Sequence, residues 1–415
     1  MSLLTSNTQS IIQPNLEQLS ETIQRQIDAG EPVVVIYFDI DDFQQHQRHH
    51  LADADEFLAE LHHKLAHHPL VKDVCRVMAD QFVLYSTGSV SHQKLKSLQA
   101  VINDMLSCAV STGDIKFSAG ISFSPAHSTS AVKLINYAQC ATFESKAKGK
   151  SQVEIFDIEA YQQEQVKVNE LGAIADGLRN SEFVMYAQPK YRIQTGEVYS
   201  FELLMRWQHP DKGLLSPKSF IPLICGSELD LAFGEYALFK AIEYLRQGQR
   251  LGKIPHLSIN LSPKQVMSEQ FLGLLEYYAQ YDKQLISHLT FEILETELGV
   301  YLPKTLAILQ KYRQLGLKIA LDDFGSGYSS ILSMFELPLD ELKIDRHLIT
   351  NLHLEPKKQS LLQYTILVAQ QYGLSVVAEG VESEQEASVL RQLGCDSGQG
   401  FYYHRPAPAE DLIFS

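Results

Sequence analysis

Apolar positions in the first third of the chain follow two different periods. Residues 33–38, Val-Val-Val-Ile-Tyr-Phe, form an unbroken apolar run of strand length, whereas Leu51, Ala54, Leu58, Leu61 and Leu65 recur at helical spacing over residues 51–66. Residues 74–78 and 82–85 read as two strands joined by a tight turn at Ala79-Asp80-Gln81. A helix over 91–107, a strand over 115–123, a helix over 131–146 and a strand over 153–156 complete a small α/β domain spanning residues 1–156. Residues 157–180 are rich in Glu, Gln and Lys, with Val166, Leu171, Ile174 and Leu178 at helical spacing, and predict a connecting helix. Beyond it, in residues 181–415, short β-rich runs at 184–188, 199–207, 257–260, 289–294, 318–322, 341–345 and 375–378, with one more near Gly400, alternate with helical stretches. Eight strands separated by helices predict a TIM-like (β/α)8 barrel.

Charge narrows the partners. Over 415 residues, 35 Lys and Arg stand against 50 Asp and Glu, a formal charge of -15. No global positive field draws such a chain onto polymeric nucleic acid or an anionic membrane, so an anionic ligand must be held locally by metal ions or a few placed cations. The longest apolar stretch, 33–38, falls far short of the roughly 20 residues that cross a bilayer, and the N-terminus has no charged region followed by an apolar core. A cytoplasmic location without a membrane span is therefore expected. The five cysteines are scattered and never in CxxC spacing, which predicts neither a disulfide framework nor a zinc knot.

In barrels of this kind the active site lies where the strands run out at their C-terminal ends. The polar residues there are Glu202, Asn260, Glu292, Asp322 with Asp323, Lys343 with Asp345, Glu379 and Gln399. One such residue alone reads as a cap or a solvated side chain; one on strand after strand makes a set. Carboxylates that converge without compensation repel one another and take up protons, so the set calls for bound cations, and oxygen ligands favour Mg²⁺ or Mn²⁺ over zinc. Neighbours on a regular strand face opposite ways, so Asp322 and Asp323 serve one cluster only if the strand ends at the pair, an ending that Phe324-Gly325-Ser326-Gly327 supplies. Lys343 and Asp345, two apart, share a face, which puts an ammonium group among the carboxylates.

These residues sit in ordered blocks: Glu202-Leu203-Leu204-Met205-Arg206-Trp207, Ile259-Asn260-Leu261-Ser262, Phe291-Glu292-Ile293-Leu294-Glu295, the stretch 321–330, Leu342-Lys343-Ile344-Asp345-Arg346, Ala378-Glu379-Gly380-Val381-Glu382, and Gly394-Cys395-Asp396 followed by Gln399-Gly400. Over about residues 170–408 the chain resembles the EAL-domain cyclic-di-GMP phosphodiesterases. The resemblance implies a modified TIM barrel in which two Mg²⁺ or Mn²⁺ ions hydrolyse cyclic-di-GMP to linear pGpG. It implies Glu202, Asn260, Glu292 and Asp322 as ligands of one metal, and Asp322, Asp323 and Glu379 as ligands of the other. Lys343 resembles the lysine that orients the attacking water, with Glu379 or a metal-held hydroxide as the base. Gln188, Arg206, Asp345 and Gln399 resemble substrate contacts. Glu295 resembles the residue that holds the loop after the fifth strand, Glu382 one that supports the site, and a homodimer through the barrel is implied. Leu294 and Lys190 depart from the family pattern, standing where Thr and an apolar residue are usual. The rival reading is a non-catalytic cyclic-di-GMP receptor that signals to a protein partner.

The first domain resembles the GGDEF diguanylate cyclases more weakly. Phe38-Asp39-Ile40-Asp41-Asp42-Phe43 matches that family's metal-binding strand, but the signature hairpin reads Met78-Ala79-Asp80-Gln81-Phe82. Side chains replace the glycines that let the turn approach a phosphate, and Gln81 replaces a metal-binding Glu. Gln47, Arg48, Leu51 and Ala52 stand at the guanine and ribose positions, and Pro69 and Lys72 at the inhibitory site. The resemblance thus implies a degenerate, regulatory domain with GTP as a candidate ligand. Seven histidines between His46 and His68, with His46, His49 and His50, and His63 and His67, at helical spacing, predict a solvated histidine-rich face.

Overall fold

The computed structural model describes residues 15–43, 54–78, 80–88, 116–294, 302–325 and 337–415. The chain divides into two compact units, Met1–Gln165 and Val166–Ser415. In the first, strands β1 (Val33–Ile40), β2 (Asp73–Met78), β3 (Gln81–Thr87), β4 (Phe117–Phe123) and β5 (Val153–Ile155) form a sheet in the order β2-β3-β1-β4-β5. All eight residues of β1 are buried because helices cover both faces. Val34, Ile36 and Phe38 pack with Leu58, Leu61 and Leu65 of α2 (Ala54–Ala66). Val33, Val35 and Tyr37 pack with Leu19 and Ile23 of α1 (Leu16–Asp28) and with Leu134 and Ala138 of α3 (Ala131–Ala147). Helix α1 was not among the expected elements; a capping box between Asn15 and Gln18 starts it, Leu19 and Ile23 are buried, and Leu16 and Ile27 are partly buried against the same cluster. The helix expected over 91–107 and the start of the one expected at 51 lie outside the described residues.

Helix α4 (Ile158–Arg179) covers the expected connecting segment, and the division between the units falls within it. In the second unit, β6 (Phe183–Arg192), β7 (Val198–His209), β9 (Leu257–Leu261), β10 (Leu289–Leu294), β11 (Lys318–Phe324), β12 (Glu341–Ile344), β13 (Ser375–Ala378) and β14 (Ser397–Gly398) form a closed eight-stranded barrel. The short strands β8 (Gly213–Leu215) and β15 (Ala407–Pro408) are added to the outer ends. Strands β7 and β9 to β14 run parallel, and β6 runs antiparallel to both of its neighbours. The connection from Arg192 to Val198 is too short for a crossover, so β6 and β7 pair as a hairpin. The mouth of the barrel therefore meets the middle of β6, where Gln188 lies opposite Glu202. The closing strand β14 is two residues long, pairing Ser397 with Val377 and with Arg192, and Gly398 with Ala378 and with Tyr191. No described helix is long and apolar enough to cross a membrane.

Candidate functional site

Alternation along the strands turns polar side chains into the barrel. Glu341 and Lys343 of β12 share the inner face, and Lys343 is 1% exposed although it carries a charge. Its Nζ lies 2.5 Å from Glu292 Oε2, 2.7 Å from Glu379 Oε1, 2.9 Å from Asp322 Oδ1 and 3.7 Å from Glu202 Oε2. Four carboxylates from β7, β10, β11 and the end of β13 thus converge on one ammonium group. Burial works against that charge, but Asp322, Glu202, Glu292 and Glu379 together raise the Lys343 pKa well above its ordinary value, so it stays protonated. Burial also raises the Glu379 carboxyl well above the carboxylate range; Lys343 opposes the rise while Asp322 and Glu202 add to it. Burial and the neighbouring Glu292 raise Glu202 as well. Glu292 behaves oppositely: against the cost of its burial, Lys190 and Lys343 hold it down at about 2.

Asp322 and Asp323 reach one cluster by a route different from the expected strand ending. Strand β11 continues through the pair to Phe324, and its register with β12 shifts between Leu321 and Phe324. Within that irregularity Asp323 takes a left-handed backbone, φ 54°, which breaks the alternation and brings its carboxylate back beside Asp322. Oxygen atoms of Asp322, Asp323 and Glu379 all lie within 4.8 Å of one another, a spacing that fits a hard divalent cation. Burial, with Asp322 and Asp345 close by, pushes Asp323 up to about 6. A divalent cation held there would relieve this mutual repulsion. Asn260 Nδ2 donates to Glu202 Oε1 at 2.7 Å, so these two expected ligands from adjacent strands lie together.

At the same mouth Gln399 Nε2 donates to Glu202 Oε2 at 2.7 Å and to Gln188 Oε1 at 3.0 Å, while Gln188 Nε2 donates to the His404 carbonyl at 3.0 Å. The Gln399 Oε1 is buried with no hydrogen-bond partner among the described residues. Arg206 is half-buried, its guanidinium 5.3 Å from the Tyr186 ring centre. Asp345 follows β12 and caps the helix Arg346–Ile349: its Oδ1 accepts from the His347 backbone N–H at 2.9 Å and lies 2.5 Å from His347 Nδ1. Glu382 is exposed, and its backbone N–H rather than its carboxylate is tied down, by the buried Glu386, which also accepts from Asn351 and Ser383. Glu295 and the loop residues Ser326–Ser330 lie outside the described residues. Sequence reasoning passed over Glu341, and treated Lys190 only as a departure; both are buried in the layer beneath Glu292, and the one signal was a charged residue inside each strand.

In the first unit Asp39 and Asp41 are buried at the end of β1. Gln81 Nε2 donates to Asp39 Oδ2 at 2.7 Å, its Oε1 accepts from Tyr37 OH at 2.6 Å, and Lys146 Nζ lies 2.5 Å from Asp39 Oδ1. An amide and an ammonium group thus already engage this carboxylate. Asp41 accepts from Ser118 Oγ and the Ser151 N–H. The His63 and His67 rings stack at 4.1 Å on α2; His46, His49 and His50 lie outside the described residues.

The EAL domain family matches residues 172–406, and the diguanylate cyclase GGDEF domain family matches residues 14–152. The chain is 28% identical over 424 residues to the cyclic di-GMP phosphodiesterase PdeR of Escherichia coli (strain K12), an alignment covering 98% of this chain and 62% of PdeR. It is 29% identical over 409 residues to MucR of Pseudomonas aeruginosa, named a bifunctional diguanylate cyclase/cyclic di-GMP phosphodiesterase, covering 96% of this chain and 59% of MucR. The chain thus spans less than two thirds of the length of either relative. The solved PaMucR phosphodiesterase in complex with c-di-GMP superimposes with a TM-score of 0.56 at 33% identity, covering 59% of this chain and 99% of that one. With more than half of its residues matched, barrel and acidic mouth included, the chain belongs to the EAL-domain family and carries a GGDEF domain ahead of its EAL domain.

Proposed function

We propose that the second unit hydrolyses cyclic-di-GMP to linear pGpG with two Mg²⁺ or Mn²⁺ ions, and that the first unit is a cyclase-like domain turned to regulation. The observation that carries the reading is the undepleted oxygen set at the barrel mouth: Glu202, Asn260 and Glu292 with Asp322 for one ion, and Asp322, Asp323 and Glu379 for the other. Bound divalent cations neutralise charge on phosphoryl oxygens and lower the pKa of water. The chain's own residues do the rest. Lys343 keeps its proton and orients a water through its N–H groups. Glu379 takes a proton from that water as the water oxygen bonds to phosphorus. The bond from phosphorus to the ribose 3′ oxygen breaks, and that oxygen takes a proton from solvent. Gln188, Gln399 and Arg206 hold the dinucleotide, Arg206 by its fork geometry toward phosphate. Asp345 completes the substrate side of the mouth.

Regulation by the first unit rests on Gln81 and Lys146, which engage Asp39 where a cyclase needs a free carboxylate for its metal. The test is incubation of the purified protein with cyclic-di-GMP and Mg²⁺ or Mn²⁺, with nucleotides resolved by chromatography. Metal-dependent appearance of pGpG supports the proposal. Tight cyclic-di-GMP binding without product assigns the receptor reading instead, and product formation that survives exhaustive chelation removes the metal mechanism.

A further inference from the structure

Beneath the carboxylates of the mouth lies a second layer that the proposed chemistry does not use. Lys190 is 1% exposed, and its Nζ lies 2.7 Å from Glu292 Oε1 and 2.7 Å from Glu341 Oε1. The strand geometry accounts for its depth. Lys190 pairs with Ser200, two residues before Glu202 on β7, and Glu341 stands two residues before Lys343 on β12. Both therefore face inward one pleat below the acidic ring. Lys190 can lie there only because β6 runs antiparallel, so that the chain descends from Gln188 at the mouth to Lys190 below it. Tyr199 OH lies 3.4 Å from Glu341 Oε2 and closes the layer from the side.

Folding does not require such a pair, since apolar residues of similar volume fill a barrel floor at least as well. What it does for Glu292 is specific. The two oxygens of that carboxylate are held from opposite ends, Oε1 by Lys190 from below and Oε2 by Lys343 from the mouth. A glutamate held at one oxygen can still rotate about its last bond, whereas one held at both cannot. Lys190 and Glu341 are opposite in sign, so the layer adds no net charge to the mouth, and its effect on the site is geometric.

We infer that Lys190, braced by Glu341, is a positioning residue that fixes the Glu292 carboxylate with one oxygen presented to the divalent-cation site and thereby sets the affinity of that site. The inference rests on the reading of Glu292 as a metal ligand. Groups that orient a ligand from behind typically change metal affinity or activity by about 10- to 100-fold when removed, and the same range is expected here.

The experiment measures Mn²⁺ binding to the full chain directly, from the loss of the free-ion EPR signal, beside the denaturant midpoint of each variant. Lys190→Met alone strands Glu341 as a buried unpaired charge and endangers folding, so the decisive variant combines Lys190→Met with Glu341→Gln, which leaves the net charge unchanged. It is expected to fold, to weaken Mn²⁺ binding by about 10-fold or more, and to keep its KM for cyclic-di-GMP at saturating Mn²⁺. Glu341→Gln alone keeps the bond from Lys190 to Glu292 and is expected to bind Mn²⁺ within a few-fold of wild type. Glu292→Gln serves as the reference. If Glu292→Gln binds Mn²⁺ like wild type, Glu292 is not a ligand and the reading beneath the inference fails. If Glu292→Gln loses Mn²⁺ while the double variant binds it like wild type, Lys190 has no positioning role and the inference alone is overturned. Loss of stability in the double variant with unchanged Mn²⁺ affinity overturns it equally.

Discussion

Replacing Lys343 by Met should destabilise the barrel strongly in the absence of divalent cations and only slightly in their presence. The ammonium group sits 2.5 to 2.9 Å from Glu292, Glu379 and Asp322. At an effective dielectric constant of about 20, each contact near 2.7 Å is worth about 6 kcal/mol of Coulomb attraction. Desolvation of the buried charges offsets most of that sum, and removing one partner from a buried ionic cluster costs about 3–5 kcal/mol net. Here the lower end applies, because Glu379 and Glu202 already have raised pKa values and take up protons readily once Lys343 is gone. A loss of about 3 kcal/mol is a large share of the 5–15 kcal/mol typical of a domain. Bound Mg²⁺ replaces the missing positive charge at the same carboxylates and favours the folded state by mass action, so the loss should shrink to about 1 kcal/mol. The sole tryptophan, Trp207, is buried within the barrel unit, so its fluorescence follows unfolding of that unit. Urea titrations of wild type and Lys343→Met, each with EDTA and with saturating Mg²⁺, measure the difference. An equal loss in both conditions, or none with EDTA, refutes the argument that these carboxylates form one cation-balanced cluster.

The same reasoning reaches other positions. Glu202→Gln and Asp322→Ala should each lower pGpG formation by about a hundredfold or more while leaving the fold intact, because charge stabilisation at the reacting phosphate depends on the cations they hold; near-normal turnover in a folded variant moves the site elsewhere. Purified Glu202→Ala protein given GTP and Mg²⁺ should form no cyclic-di-GMP by chromatography, and detectable product contradicts the reading of Gln81 and Lys146 at Asp39. His256, stacked 4.2 Å from His288, has its pKa lowered to about 4 by burial, with His288, Lys318 and Arg192 adding to the shift. It is neutral in the fold at pH values where the unfolded chain binds a proton, so its contribution is fully present above about pH 6.5 and is lost as pH falls toward 4, by about 1–2 kcal/mol after allowing for solvent screening of a partly exposed ring. His256→Gln should flatten that part of the pH dependence of the Trp207 urea midpoint, and an unchanged slope rules the ring out as its source.

The parts of the molecule legible in the sequence are those that repeat a period or a residue type. The run 33–38 is continuous because β1 is covered on both faces, and the acidic residues at the strand ends stand out because each interrupts an apolar strand. Strand direction leaves no such trace: the apolar pattern of β6 is the same in either sense, and only the short connection to β7 carried the information that it runs antiparallel. Asp322 and Asp323 were identifiable as a pair, but the left-handed backbone that unites them belongs to the register shift against β12, which no local pattern displays. Helix α1 does carry a stripe, Leu16, Leu19, Ile23 and Ile27 at helical spacing, but one apolar residue per turn among polar neighbours makes it narrow and easily overlooked. Lys190 and Glu341 read as ordinary charged residues, since what buries them is a pairing across 151 positions of chain. Glu386, a capping-box residue four positions after Glu382, carried no sign of its role in the site block, because what it anchors is the backbone of Glu382 and Asn351.

The brevity of β14 makes the barrel a ring with a seam. Every other join in the wall rests on longer strand pairing, while between β13 and β6 the paired residues are Ser397 and Gly398, extended by backbone hydrogen bonds from the Ile193 N–H to the Asp396 carbonyl and from the Gln399 N–H to the Ala378 carbonyl. Gln399, the next residue, ties the seam to Gln188 on one flank and to Glu202 one strand further round. A ligand that engages these three side chains therefore spans the shortest strand of the wall, and its binding energy is shared with the local opening of that strand. Amide exchange at Ser397 and Gly398 then slows in proportion to ligand occupancy. The thinnest strand becomes the place where an occupied mouth is felt as mechanical stiffness of the whole ring.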